Sequence, residues 1–304
     1  VVYPLIFAKM IGECASLGPR KNSLNLCNVI MSLLAGIFMI VACASFSSNV
    51  ETVQKLAFMV VSTHYEGKNS AGVTGKVSKC DYVGLQAMCE AMCGTNVIFN
   101  PAGTGTVDVP KTSPYYSCKT AGGTDASGAA TDSNIVYKTV YDLIQCGNDA
   151  IPKNAATTIT CNNLSTCITG GNVTMAFAVI GCIGALFAMV IFAWRMHGDG
   201  TMAKLASIVF STATFICCVV AFGGFQNCAR DFYNNSKNFI EIMVNSKIAS
   251  NEKYGVAPGV GGVMAVTSFV LFIYVMLMSI FIPSSGPTEP EHAAVETGVV
   301  DTKV

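Results

Sequence analysis

Cysteine is the residue type in this chain with the most scope for chemistry. There are 14 cysteines in 304 residues. Seven lie in one long segment between the first two apolar runs: Cys80, Cys89, Cys93, Cys118, Cys146, Cys161 and Cys167. An eighth, Cys228, lies between the last two runs. Eight is an even number, and in an oxidising compartment it predicts up to four disulfides. The long segment holds an odd number, so complete pairing requires a bridge from it to Cys228. That bridge joins two distant segments into one domain. The spacing leaves the connectivity open, since eight cysteines allow on the order of a hundred pairings.

The rival chemistry is metal binding. Cys89 and Cys93 fall on one face if their segment is helical, and Cys161 and Cys167 form a second close pair. Zinc sites favour tighter Cys-x-x-Cys pairs or a nearby histidine, and the only histidine in these segments is His64. Disulfides are the expected state, and no metal or other cofactor is expected. Catalytic patterns are likewise missing from the sequence. His64, His197 and His292 fall in three separate regions, and no HExxH, GxSxG or P-loop spacing occurs. The run Gly259-Val260-Gly261-Gly262 lacks the phosphate-loop pattern and reads as close packing at a helix start. No catalytic residues are expected, and the chain reads as a non-enzyme.

Three Asn-x-Ser/Thr sequons occur, at Asn163, Asn172 and Asn234. They are glycan acceptors only in secretory compartments. Asn172 abuts an apolar run and is expected to lie too close to a membrane for modification.

The elements that position these residues follow from composition. The chain is 52% hydrophobic and 12% charged, with mean hydropathy +0.51, whereas soluble domains carry about 25% charged residues. Its 18 basic and 18 acidic residues give zero formal net charge. No basic stripe of the kind that binds nucleic acid is present, so no nucleic-acid partner is expected. Four uncharged apolar runs, Leu24 to Phe46, Val173 to Trp194, Leu205 to Phe225 and Val260 to Ile282, each reach the ~20 residues that span a bilayer. A helix is the single-segment way to satisfy the backbone in lipid. The predicted fold class is therefore an all-α membrane bundle of four spans with a disulfide-rich, mixed and partly irregular ectodomain.

Basic residues in short flanks set orientation. Lys9, Arg20 and Lys21 precede the first span, and Arg195, His197 and Lys204 occupy the short middle connection. Both termini are thus expected in the cytosol, in a plasma or secretory-pathway membrane. The predicted order is a cytosolic segment 1–23, a span 24–46, a cysteine-rich outer loop 47–172, a span 173–194, a cytosolic connector 195–204, a span 205–225, a second outer loop 226–259, a span 260–282 and a flexible cytosolic tail 283–304.

Within the outer loops, helical spacing is expected over 49–65 as a continuation of the first span, over Asp81 to Cys93, over Val136 to Cys146, and around Phe239 to Val244. Short strands are expected at Asn96 to Phe99 and Ile159 to Cys161. Residues Thr104 to Asp132 are close to low complexity, so cross-links would offset the entropy of ordering them.

Small residues recur in the second span at Ala178, Gly181, Cys182, Ala185 and Ala188. This spacing lets helices approach closely, within the bundle or between subunits. Ser207, Ser211, Thr212 and Thr214 make the third span partly polar. Helix–helix hydrogen bonding is the favoured reading, with a pore lining as the alternative. The carboxyl end, Thr302-Lys303-Val304, fits the pattern captured by PDZ-type scaffolds. Cys14 is a candidate for palmitoylation. The chain begins with Val1, and Val1 to Ile11 is expected to be an interfacial or packed helix rather than a span; a signal-sequence remnant is the alternative.

The order of spans and loops resembles the claudin-like tetraspan superfamily, whose outer signature is Gly-Leu-Trp followed by spaced cysteines. Here Gly84-Leu85-Gln86-Ala87-Met88-Cys89 is similar, with Gln86 where the family has Trp and Cys93 following closely. Tetraspanins are a poorer match, because their larger cysteine-rich loop lies between the third and fourth spans. The architecture, together with the absence of catalytic groups, points to a protein that makes lateral or cell-surface contacts. The expected partners are the bilayer and other membrane proteins, in a homo- or hetero-oligomer. The functions expected are adhesion, membrane organisation or an accessory role, with a pore-forming or channel-modulating subunit, or a structural subunit of an organellar complex, as alternatives.

Overall fold

The computed structural model describes residues 21–68, 74–99, 105–118, 134–148, 155–198, 200–228, 230–231, 234 and 250–282. The amino-terminal segment with Cys14, the proposed helix at Phe239 to Val244 and the tail with Thr302 and Val304 lie outside them.

Helix α1 (Lys21–Ala44) is followed by a short α2 (Val50–Leu56) and by strands β1 (Met59–Lys68), β2 (Thr74–Val83), β3 (Ala87–Met92), β4 (Asn96–Phe99) and β5 (Thr106–Val109). A single 3-10 turn, Pro114–Tyr116, leads towards β6 (Asn134–Val136) and α3 (Tyr137–Leu143). Then come α4 (Ala155–His197), α5 (Thr201–Gly224), β7 (Ser250–Pro258) and α6 (Val260–Phe281). Helices α1, α4, α5 and α6 are each long and apolar enough to cross a membrane.

These four helices form a ring. Helix α1 packs on α4 and α6, and α5 closes the circle against the same two. Met31, Met39, Phe192, Leu271, Phe272 and Val275 fill the interior. The outer faces are apolar as well: Ile180, Ile183, Leu186, Phe187 and Val190 of α4 all point away from the bundle. A helix at a water-exposed surface would carry polar residues there.

The small residues of α4 are used inside the chain. Ala178 and Ala185 are buried. A β-carbon on Gly181 would meet Met39 of α1 and Cys217 of α5, and Gly36 of α1 lies against Ala185. Cys182 places its thiol 3.9 Å from the Gly36 carbonyl. Small side chains therefore let α4 sit close to both neighbours at once, where dispersion contacts are the main source of cohesion.

Helix α4 is 43 residues long, about twice the predicted span, and starts 18 residues before Val173. The strand expected at Ile159 to Cys161 is corrected: those residues are helical. No proline falls between Pro152 and Pro258 to stop the helix. Cys161, Leu164 and Cys167, three residues apart, bury one stripe of this extension against the outer domain.

The expected continuation of the first span also breaks. The Ser45 hydroxyl donates to the Ala42 carbonyl at 2.6 Å where α1 ends. Asn49 then caps α2, its side chain accepting from the Glu51 and Thr52 amides. After one short helix, the β-branched run from Val60 enters β1.

Seven strands form one sheet, with β5, β4, β2, β1 and β7 in sequence and β3–β6 branching from β2. The central pairs are antiparallel: Val61 faces Asp81 across β1–β2 and Val256 across β1–β7. Because β7 comes from the second outer loop, both loops build one sheet. The helix expected over Asp81 to Cys93 is corrected to the β2–β3 hairpin. Its burial alternates with period two, Ala87, Cys89 and Ala91 inward and Glu90 outward, and the Gly84 amide donates to the Ala87 carbonyl at 2.8 Å to close the turn. The strand expected at Asn96 to Phe99 and the helix expected near Val136 to Cys146 are both present, the latter as Tyr137–Leu143. The domain outside the bundle is thus mixed, as expected, with a larger sheet than the two short strands expected.

Candidate functional site

The hairpin tip seats the outer domain on the bundle. Leu85 is buried, its amide donates to the Ser45 carbonyl at 3.0 Å, and its own carbonyl lies against Gly171 of α4. Tyr137 locks the tip from the other side: its amide donates to the Gln86 carbonyl at 3.1 Å and its hydroxyl to the Gly84 carbonyl at 3.0 Å. The residues read as a family-like motif are therefore the point where sheet, α1 and α4 meet.

All eight outer cysteines are paired. Cys80–Cys93 and Cys89–Cys118 brace β2, β3 and the segment after the 3-10 turn. Cys146–Cys161 ties the end of α3 to the start of α4, and Cys167–Cys228 joins α4 to the chain just beyond α5. The bridge required by the odd count of the long loop is this last one. Cys89 and Cys93, the pair weighed as rival metal ligands, sit in different disulfides, on and just after β3. His64 is engaged with the Ser78 hydroxyl at 2.7 Å across β1–β2.

Side-chain amides reinforce the platform. Gln54 of α2 donates to the Tyr116 carbonyl at 2.7 Å and accepts from the Cys118 amide at 3.2 Å. Asn96 is fully buried; it accepts from the Ser78 amide and donates to the Tyr116 hydroxyl. The sheet's outer edges stay open among the described residues. Strand β5 pairs only with β4, and β7 only with β1. Val107 of β5 is 48% exposed and Tyr115 of the 3-10 turn 54%, so the β5 rim presents apolar surface beside backbone that has no second strand partner among the described residues.

Asp81 is the perturbed acid of the platform. It faces Glu90 across β2–β3. Burial, reinforced by the Glu90 charge and opposed by Lys79, pushes its carboxyl up to about 6. Lys79 itself pairs with Glu90 at 2.5 Å. Burial likewise raises the Tyr137 hydroxyl well above its ordinary value, with the Asp81 charge adding to it.

A groove of about 320 Å³ opens at the outer end of the α4–α5 contact, lined by Ser165, Thr166, Thr169, Val173, Gly224 and Asn227. Its walls are held at close quarters. The Cys167–Cys228 bridge spans them with Cα atoms 4.6 Å apart, and a β-carbon on Gly170 would stand 2.6 Å from the Gly224 carbonyl.

Two of the three sequons fall on this side of the bundle. Asn163 is half-buried and Asn172 exposed, both on α4, and Asn234 is exposed. The hydroxyls of α5 point inward. Ser207, Ser211 and Thr214 are buried; Ser211 bonds to the Ser207 carbonyl at 2.6 Å and to Ser279 of α6 at 3.2 Å, and Thr214 donates to the Phe210 carbonyl.

Two groups of residues carry more structure than their sequence signal suggests. Arg195, counted as a flanking charge, is fully buried at the far end of the bundle. It donates to Ser207 at 2.9 Å and to the Ile282 carbonyl at 3.5 Å, holding α4, α5 and the end of α6 together. Asn25, Asn28 and Ser32, hidden in an apolar run, share the buried face of α1, and among the described residues their side-chain polar atoms have no hydrogen-bond partner. Their spacing of three and four was the available signal. Among the described residues, no cluster of three or more potential metal ligands occurs.

No protein-family model matches the chain, and no curated protein is significantly similar to it.

Proposed function

We propose that this chain is an integral membrane protein that makes lateral or cell-surface contacts through its disulfide-braced outer domain, in adhesion, membrane organisation or as an accessory subunit, and that it has no catalytic role. The observation that carries this reading is the platform itself. Two loops distant in sequence build one sheet, two disulfides brace it and two more tie its surroundings to α4, and Val107 of β5 and Tyr115 of the 3-10 turn are exposed. Rigid surfaces with open strand edges and aromatic side chains suit protein contacts, since little ordering entropy is lost on binding.

The orientation that goes with this reading places the sheet outside and both termini in the cytosol. The four disulfides of the loop domain and the sequons on α4 support it, as do basic residues in the connection 195–204 at the other end of the bundle. The similarity to the claudin-like superfamily enters the same proposal, supported by the way Gly84 and Leu85 seat the hairpin on the bundle.

The test is site-specific crosslinking in native membranes. A photoreactive phenylalanine analogue at Val107 is expected to capture a membrane protein or a second copy of the chain, while one at Val190 captures lipid. If position 107 yields only the uncrosslinked monomer across a range of expression levels, the contact reading fails.

A further inference from the structure

We propose that the groove between the outer ends of α4 and α5 binds a membrane lipid with a neutral, sugar-bearing head. The inference rests on reading α4 and α5 as membrane-spanning. Its first support is the chemistry of the lining. Ser165, Thr166, Thr169 and Asn227 offer three hydroxyls and one carboxamide, and among the described residues no charged side chain lines the groove. A phosphate head would call for Arg or Lys, and a sterol brings one hydroxyl to four hydrogen-bonding side chains. A sugar presents several hydroxyls, each able to donate and accept, as Ser, Thr and Asn side chains require. The Thr166 hydroxyl already donates to the Asn162 carbonyl at 2.9 Å, so it is left as an acceptor for a sugar O–H. The volume, about 320 Å³, falls at the small end of the ~300–1,000 Å³ typical of small-molecule sites.

The second support is what lies below. Thr166, Val173, Ile180 and Phe187 recur every seven residues on α4, and Gly224, Cys217 and Phe210 do so on antiparallel α5. The two rows run from the groove towards the Phe187–Phe210 ring contact, whose centroids are 5.7 Å apart. From Val173 to Phe187 the helix advances about 21 Å at ~1.5 Å per residue. That suits one hydrocarbon chain lying along the helices while its head sits in the groove. Ile180 and Phe187 are about half exposed along this path.

The third support is rigidity. The Cys167–Cys228 bridge and the Gly170–Gly224 contact fix the spacing of the walls, so the site is formed before the ligand arrives.

The experiment uses the full chain purified into phosphatidylcholine vesicles, with a glucosylceramide carrying a diazirine in its acyl chain. The expected result is labelling of peptides within 166–187 and 210–227, competed by unlabelled glucosylceramide and not by cholesterol or added phosphatidylcholine. Thr169→Val and Asn227→Leu should each lower labelling about fivefold, the factor that corresponds to one net hydrogen bond. Val173→Trp, which fills the groove, should abolish it. Protection of the eight outer cysteines from alkylation checks that the variants are folded, and the competition on the unmodified chain decides the matter even if they are not. Equal labelling by a diazirine phosphatidylcholine without competition overturns the proposal and leaves the membrane-spanning reading intact, and so does competition by cholesterol. No labelling of α4 or α5 by either probe overturns both.

Discussion

The carbonyl oxygen of Leu85 lies so close to Gly171 that a β-carbon built there would stand 1.9 Å from it. Leu85 is the tip of the β2–β3 hairpin, and Gly171 sits on α4 where the helix passes the top of the bundle. Only the absence of a side chain lets the sheet reach the helix. Gly171→Ala should therefore push the hairpin off α4 and lower stability by about 1–3 kcal/mol, the usual cost of overpacking. Gly198→Ala, at a position with nothing within 4 Å, serves as the control. Thermal unfolding in detergent would show the difference, and equal tolerance of both changes would mean that the hairpin does not dock there.

The disulfide map predicts a pattern of reactive thiols. After denaturation without reductant, Cys43, Cys182, Cys217 and Cys218 should take up alkylating reagent, while the eight outer cysteines stay protected. Mass mapping should recover Cys167 linked to Cys228 across a separation of 61 residues. Among the bridges with both ends described, this one closes the longest loop and so constrains the unfolded chain most, by ~4 kcal/mol on chain-entropy grounds. Cys228→Ser should cost more than loss of Cys80–Cys93, which spans 13 residues. Alkylation of the outer cysteines in material from native membranes would place the domain in a reducing compartment and undo the proposed orientation.

Asp81 sets a pH dependence with a definite sign. Its carboxyl is raised to about 6 in the folded chain from an ordinary value of 3.8. Between these limits the folded state binds a proton that the unfolded state has released. Stability from this group therefore falls as pH rises from about 4 to 6 and stays reduced above that. Asp81→Asn should remove the slope and stabilise the protein at pH 7.5 by about 1–3 kcal/mol. Glu90→Gln, which removes the facing charge, should lower the Asp81 midpoint without abolishing the slope. Unfolding curves at pH 4.5, 6 and 7.5 measure both, and a slope unchanged in Asp81→Asn would assign it to another group.

The four apolar helices and the bridge to Cys228 were legible in the sequence because length, hydropathy and parity are local or countable properties. The sheet was not. Leu85, Met88, Cys89 and Met92 fit a helical stripe as well as they fit a turn followed by a strand. What decides between them is distant: β1 pairs with Asp81 and its neighbours on one side of β2, and β3 pairs on the other. Strand β7 comes from nearly 200 residues away, and no local pattern in Ser250 to Pro258 announces its partner. The extension of α4 was missed for the opposite reason, since Thr, Ser and Asn between 157 and 169 have modest helix propensity. Burial of Cys161, Leu164 and Cys167 against the outer domain overrides it. The groove lining was invisible for the same cause, because Ser165, Thr169 and Asn227 meet only once α4 extends and Cys167 finds Cys228.

Asn28 offers a test of how the bundle interior is held. It is fully buried on α1, and neither its amide nitrogen nor its oxygen has a hydrogen-bond partner among the described residues. In lipid-embedded protein an unmet polar group is costly, because no solvent competes to satisfy it. Replacing such a group by an apolar one of similar shape removes the desolvation penalty and loses no bond. Asn28→Leu should therefore raise stability by about 1–3 kcal/mol, and Asn25→Leu should act in the same direction. Ser268→Ala is the contrast: its hydroxyl donates to the Ala35 carbonyl at 3.0 Å, linking α6 to α1, so its loss should destabilise. Denaturant unfolding of the three variants in one detergent separates the cases. If Asn28→Leu destabilises as Ser268→Ala does, the amide is bonded in the membrane, and a partner to it must be sought inside the bundle.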